Sequence, residues 1–129
     1  VTPAFLETVA ASAGRIADTF QSLPFRAGRP YDPRPVATAA AEELAVLCEV
    51  VASLDRPLVV GTPTKAEPLG VDLAGLMSFL QLVAVLYHGL DTVPPVLTLS
   101  AGRNLSATQL IARRVRDRAR KDAAALRGS

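Results

Sequence analysis

A chain of 129 residues, half of them hydrophobic and with no long low-complexity tract, is long enough to bury one core and too apolar for intrinsic disorder. Its net charge of +2 is too small to demand a polyanionic partner, and its single cysteine excludes an internal disulfide and a cysteine-rich zinc site. With no tryptophan and 5% aromatic residues, the core must be built from Leu, Val and Ala with a little Ile and Phe.

The first element is read over residues 2–23. Thr2 can cap a helix and Pro3 suits its first position. Phe5, Val9, Ala13, Ile16 and Phe20 recur at spacings of three and four, which is one helical face. Pro24 ends the pattern. Glu7 and Asp18 interrupt any apolar run here, so no secretory signal is expected, and a reducing cytoplasm fits the lone cysteine. Residues 24–35, "PFRAGRPYDPRP", form a connector of turn character.

The clearest helix spans 35–54. Val36, Ala40, Leu44, Leu47, Val51 and Leu54 make its apolar stripe. Glu42, Glu43 and Glu49 lie off that stripe, and Cys48 sits beside it and is expected to be buried. Residues 57–61, "PLVVG", are β-branched and bounded by Pro and Gly, the pattern of a short strand.

Residues 72–90, "DLAGLMSFLQLVAVLYHGL", are apolar on almost every side, with Asp72 as an expected N-cap. The 18 residues 73–90 lack Asp, Glu, Lys and Arg and just reach the lower bound for a membrane span. Gln81, His88 and two glycines lower the hydropathy, which favours a buried central helix or an oligomer core over a bilayer. Residues 96–100, "VLTLS", follow Pro94-Pro95 and read as a second strand, with "AGRN" as a turn after it.

The last helix is expected from Ser106. Ser106 and Gln109 have capping-box spacing, and Leu105 and Leu110 stand where a hydrophobic staple would place them. Leu105, Thr108, Ala112, Val115, Ala119, Ala123 and Leu126 share one third of the helical circle. Arginines and one lysine occupy the rest. Residues 1–102 carry six basic and ten acidic residues, a net of −4, whereas residues 103–129 carry eight basic and two acidic, a net of +6. Asp117 can pair with Arg113 or Lys121 and Asp122 with Arg118, each worth about 0.2–0.5 kcal/mol.

The fold class expected is mainly α: a compact four-helix domain over 1–129, with two short β segments, at 57–61 and 96–100, flanking a central apolar helix. Other chemistries fall away. "VVGTPTK" at 59–65 lacks the Gly-x-x-x-x-Gly-Lys-Ser/Thr order of a phosphate loop, and Pro63 removes a backbone donor. His88 is the only histidine, so no multi-histidine metal site can form in one chain, and Cys48 on a helix beside an apolar stripe is a poor nucleophile. No catalytic constellation survives, and no cofactor or metal is expected. The expected function is that of a non-enzymatic, self-associating interaction or structural protein, homo-oligomeric, cytoplasmic and without a membrane anchor. The competing expectation is nucleic-acid binding, or docking on an acidic protein surface, through the basic helix 103–127. Arg113, Arg116, Arg120 and Lys121 would make those contacts, chiefly to phosphates.

Overall fold

The computed structural model describes residues 2–21, 32–54, 68–92 and 95–128. Four helices account for nearly all of them: α1 (Pro3–Gln21), α2 (Arg34–Ala52), α3 (Pro68–Tyr87) and α4 (Pro95–Arg127). Among the described residues there is no strand. The expected strand at 57–61 lies outside the described residues. The one expected at 96–100 does not form, because those residues are the first turns of α4. Pro95 occupies the first helical position, where its missing N–H costs nothing and its fixed φ already suits a helix. Pro95 therefore starts a helix instead of introducing an extended run. The expected turn at "AGRN" and the cap at Ser106 are likewise interior to α4.

Local signals set the other ends. The Phe5 N–H donates to Thr2 Oγ1 at 3.1 Å, the expected cap of α1. The Arg34 N–H donates to Asp32 Oδ1 at 3.0 Å just before α2. Asp72 is not a cap, since α3 already begins at Pro68. Past its end, Gly89 adopts a φ of 76°, a left-handed conformation that lets the chain turn away where a side chain would be strained.

The helices form a closed ring. α1 packs on α2 and α4, α3 packs on α2 and α4, and among the described residues the backbones of the diagonal pairs stay apart. Contacts from α1 to α4 run Glu7 to Arg127, Gly14 to Arg116 and Ala17 to Gln109, so the two are antiparallel. Asp72 to Arg114 and Gly75 to Ile111 show the same for α3 and α4. The N-terminal half of α2 meets the C-terminal end of α3, and the ring is an up-down-up-down four-helix bundle.

Each helix contributes a heptad-like stripe to the core, the pattern that keeps one seam facing its neighbours. α3 buries Leu69, Leu73, Leu76, Leu80, Val83 and Tyr87, and α4 buries Leu105, Thr108, Ala112, Val115, Ala119 and Ala123. Leu126, expected on that face, is exposed. α1 buries the widest face, adding Leu6, Ala10, Ser12 and Ala17 to the five expected residues. Its small residues let α4 approach closely, and α1 with α4 is the most extensive contact in the bundle.

The buried stripe of α2 differs from the expected one at Leu44, which Glu43 replaces, and Val51 and Leu54 beyond it are only partly buried. That stripe runs Val36, Ala40, Glu43, Leu47, so a glutamate takes the core place and Leu44 is only partly buried. Cys48, expected to be buried, is exposed. Both shifts have one cause: the stripe follows strict three- and four-residue steps through Glu43, and Leu44 and Cys48 lie one residue further round the helix.

Candidate interaction surface

The basic face of α4 is distributed and largely engaged. Arg114 reaches across to Asp72 of α3 at 3.0 Å, and Arg116 pairs with its neighbour Asp117 at 3.0 Å. Arg118 pairs with Asp122 at 3.2 Å, the expected one-turn partner, and Arg127 pairs with Glu7 of α1. Asp117 thus goes to Arg116, not to Arg113 or Lys121. Arg113, Arg120 and Lys121 are exposed, while Arg116 is half-buried against Gly14. Of the four expected contact residues, Arg120 and Lys121 face no carboxylate within ion-pair distance among the described residues. Arg116 turns toward α1, and Lys121 lies toward the outside. Arg113, Arg116 and Arg120 share one side of α4 at three- and four-residue spacing, and Lys121 stands apart from them.

A polar cluster missed by the periodicity lies between α1 and α2. Glu43 is nearly buried, and the Arg15 Nε–H stands 3.0 and 2.9 Å from its two carboxylate oxygens. The Ser12 hydroxyl donates to the same group at 3.5 Å. The carboxylate holds the Arg15 guanidinium above its ordinary pKa, chiefly through this hydrogen bond. A charged residue at a heptad core position is the available sequence signal for such a pair, and it emerges only once the stripe is phased through residue 43.

The other feature is α3. It is not a central helix: it occupies one corner of the ring, diagonal to α1. Its segment Leu69–Tyr87 is long and apolar enough to cross a membrane, with a mean hydropathy of 2.0, yet only 33% of the window is buried within the chain. Leu82 is 45% exposed and Val85 70% exposed, with Ser78 and Gln81 beside them. Leu110, expected to staple α4, is 60% exposed on α4. On the α2 side, a groove of about 570 Å³ is lined by Ala37, Ala41, Ala84, Val85 and His88, with Glu42 at its rim. Asp72 is the only charged residue in α3, and Arg114 already engages it.

Among the described residues, no three His, Cys, Asp or Glu side chains converge where they could hold a metal ion. His88 lies in the exposed turn after α3, and Cys48 sits on α2. What the bundle presents is a surface: a helix with one charged residue, Asp72, flanked by an acidic and a basic one. The chain matches no protein-family model, and neither a curated protein nor a solved structure is significantly similar to it.

Proposed function

We propose that this chain is a non-enzymatic, cytoplasmic interaction protein that works by associating with copies of itself through α3. The observation that carries this reading is the uncharged outer face of α3, with Leu82 and Val85 open beside Ser78 and Gln81. A face of this kind on an otherwise charged bundle marks a surface that another molecule covers. Cover by protein is favoured over lipid. The inner stripe of α3 is shared with α2 and α4, and both carry exposed charges next to it. Entering a bilayer would require α3 to leave the bundle, strip Leu73, Leu76, Leu80 and Val83 of their partners and break the Asp72–Arg114 pair. Sedimentation at micromolar concentration tests the reading. An assembly larger than 13.5 kDa is expected, and a monomer at every concentration would overturn it.

One observation favours a second reading, nucleic-acid binding: Arg113, Arg120 and Lys121 are exposed on α4. Non-specific phosphate contacts need no more than such a scatter, and they weaken steeply with salt. Heparin retention that falls with salt, and is lost when these three residues become alanine, would establish it. Unchanged elution of that variant would remove it.

A further inference from the structure

We infer that α2 has two rotational settings in this bundle and that the Arg15–Glu43 pair selects the observed one. In that setting Val36, Ala40, Glu43 and Leu47 hold the core positions, while Leu44 and Val51 are only partly buried. An entirely apolar stripe runs along the same helix as Val36, Ala40, Leu44, Leu47 and Val51. It offers more hydrocarbon to bury, yet a carboxylate takes the core place, its side chain 11% exposed. Four residues advance a helix by one turn and about 40°. Rotating α2 by about 40° would therefore move every side chain into the angular place of the one four positions before it. Leu44 would take the buried place of Ala40, and Val51 that of Leu47. Glu43 would leave the core for the half-buried place of Ala39.

The observed setting forgoes that burial for one polar contact. The Arg15 Nε–H stands 3.0 and 2.9 Å from the two carboxylate oxygens, and the Ser12 hydroxyl, fully buried on α1, holds the inner side of the group at 3.5 Å. Both donors belong to α1, which is fixed against α4 by the most extensive contact in the bundle. The pair therefore sets the phase of α2 against a fixed frame. Without Arg15 the carboxylate is a nearly buried charge whose main partner is gone, and rotation both hydrates it and buries Leu44 and Val51. The consequences reach the opposite side of α2. Cys48, exposed in the observed setting, would take the partly buried place of Leu44. Glu42 would turn from the rim of the α2–α3 groove to the place of Thr38, carrying a carboxylate toward Val85 and His88. The contact between α1 and α2 thus keeps the groove between α2 and α3 apolar.

The test follows the reaction of the Cys48 thiol with a thiol reagent in the full chain, in Arg15→Gln and in Glu43→Leu. Each is checked for helix content by circular dichroism and run at two protein concentrations about tenfold apart, so that cover by assembly is told from cover by rotation. Arg15→Gln is expected to react at least about fivefold more slowly than the unaltered chain at both concentrations. A merely loosened bundle would expose the thiol and react faster, so the sign separates rotation from lost stability. Glu43→Leu sets an apolar side chain in the present core place and is expected to keep the unaltered rate. An Arg15→Gln rate equal to or above the unaltered one, or the same slowing in Glu43→Leu, would overturn the two settings. Should Arg15→Gln not fold, Arg15→Lys, which keeps the charge and loses the two-oxygen contact of Nε, is read in its place. A rate at least about twofold slower is expected, and an unchanged one would refute the second setting.

Discussion

Arg15 on α1 grips Glu43 on α2 through a single nitrogen, its Nε lying 3.0 and 2.9 Å from the two carboxylate oxygens. The carboxylate side chain is 11% exposed and the guanidinium 55%, so the acid is the partner that depends on the pair. Removing Arg15 strands a nearly buried charge that, among the described residues, keeps only the Ser12 hydroxyl beside it. Arg15→Ala is expected to destabilise the bundle by about 1–3 kcal/mol. Glu43→Leu replaces the acid with an apolar side chain at a core position between Ala40 and Leu47 and is expected to be neutral or stabilising. Denaturant unfolding of the two variants checks the order. If Glu43→Leu costs more than Arg15→Ala, the carboxylate does more than occupy the site.

Two helical glycines should respond unequally to alanine. A Cβ at Gly14 would meet Arg116 Cδ at 3.6 Å, an ordinary contact, so Gly14→Ala is expected to stabilise by up to about 1 kcal/mol from helix propensity. A Cβ at Gly75 would meet Ile111 Cδ1 at 2.8 Å, and that flexible tip must move. Gly75→Ala is expected to gain less than Gly14→Ala, and Gly75→Leu to lose about 1–3 kcal/mol through overpacking. Thermal melts in parallel show whether the sites differ in this direction.

The outer face of α3 can be charged without touching the core. Val85→Asp and Leu82→Asp are expected to keep the helical signal and the melting temperature of the monomer while abolishing assembly on a sizing column with light-scattering detection. By contrast, Leu80→Asp lies on the fully buried stripe and is expected to unfold the chain. Val85→Asp assembling as the unaltered chain does would show that α3 is not the contact.

Acid should weaken the start of α2. Hydrogen bonds from the Arg34 side chain and backbone hold the Asp32 carboxyl below its ordinary value, and the same pair raises Arg34. A depressed folded-state value means that this contribution is present above the unfolded value of about 3.9 and is lost as the pH falls through the folded one. Asp32→Asn is expected to lack that acid-side component while matching the unaltered chain's slope above pH 5. The pair is solvent-exposed, so a small effect is expected, read by circular dichroism between pH 6 and 2.

The helices themselves were legible in the sequence because each buries a stripe at helical spacing. Phe5, Val9, Ala13, Ile16 and Phe20 announce the inner face of α1, and Ala112, Val115 and Ala119 that of α4. Backbone starts were less legible. "VLTLS" has strand composition, but its place directly behind Pro95 and its continuity with α4 carry it into the helix, where tertiary context overrides local β propensity.

The phase of a stripe and the partner of each charge were decided by tertiary structure alone. Whether Glu43 or Leu44 faces inward depends on Arg15 standing opposite, twenty-eight residues earlier in the chain. The apolar composition of α3 was plain from its residues. That it occupies a corner, buried by α2 and α4 on one side and open at Leu82 and Val85 on the other, follows from the ring order of the helices. Periodicity records which side chains share a face, because that is a property of one helix. Which face meets a neighbour, and which is left for another molecule, is a property of the helices packed together.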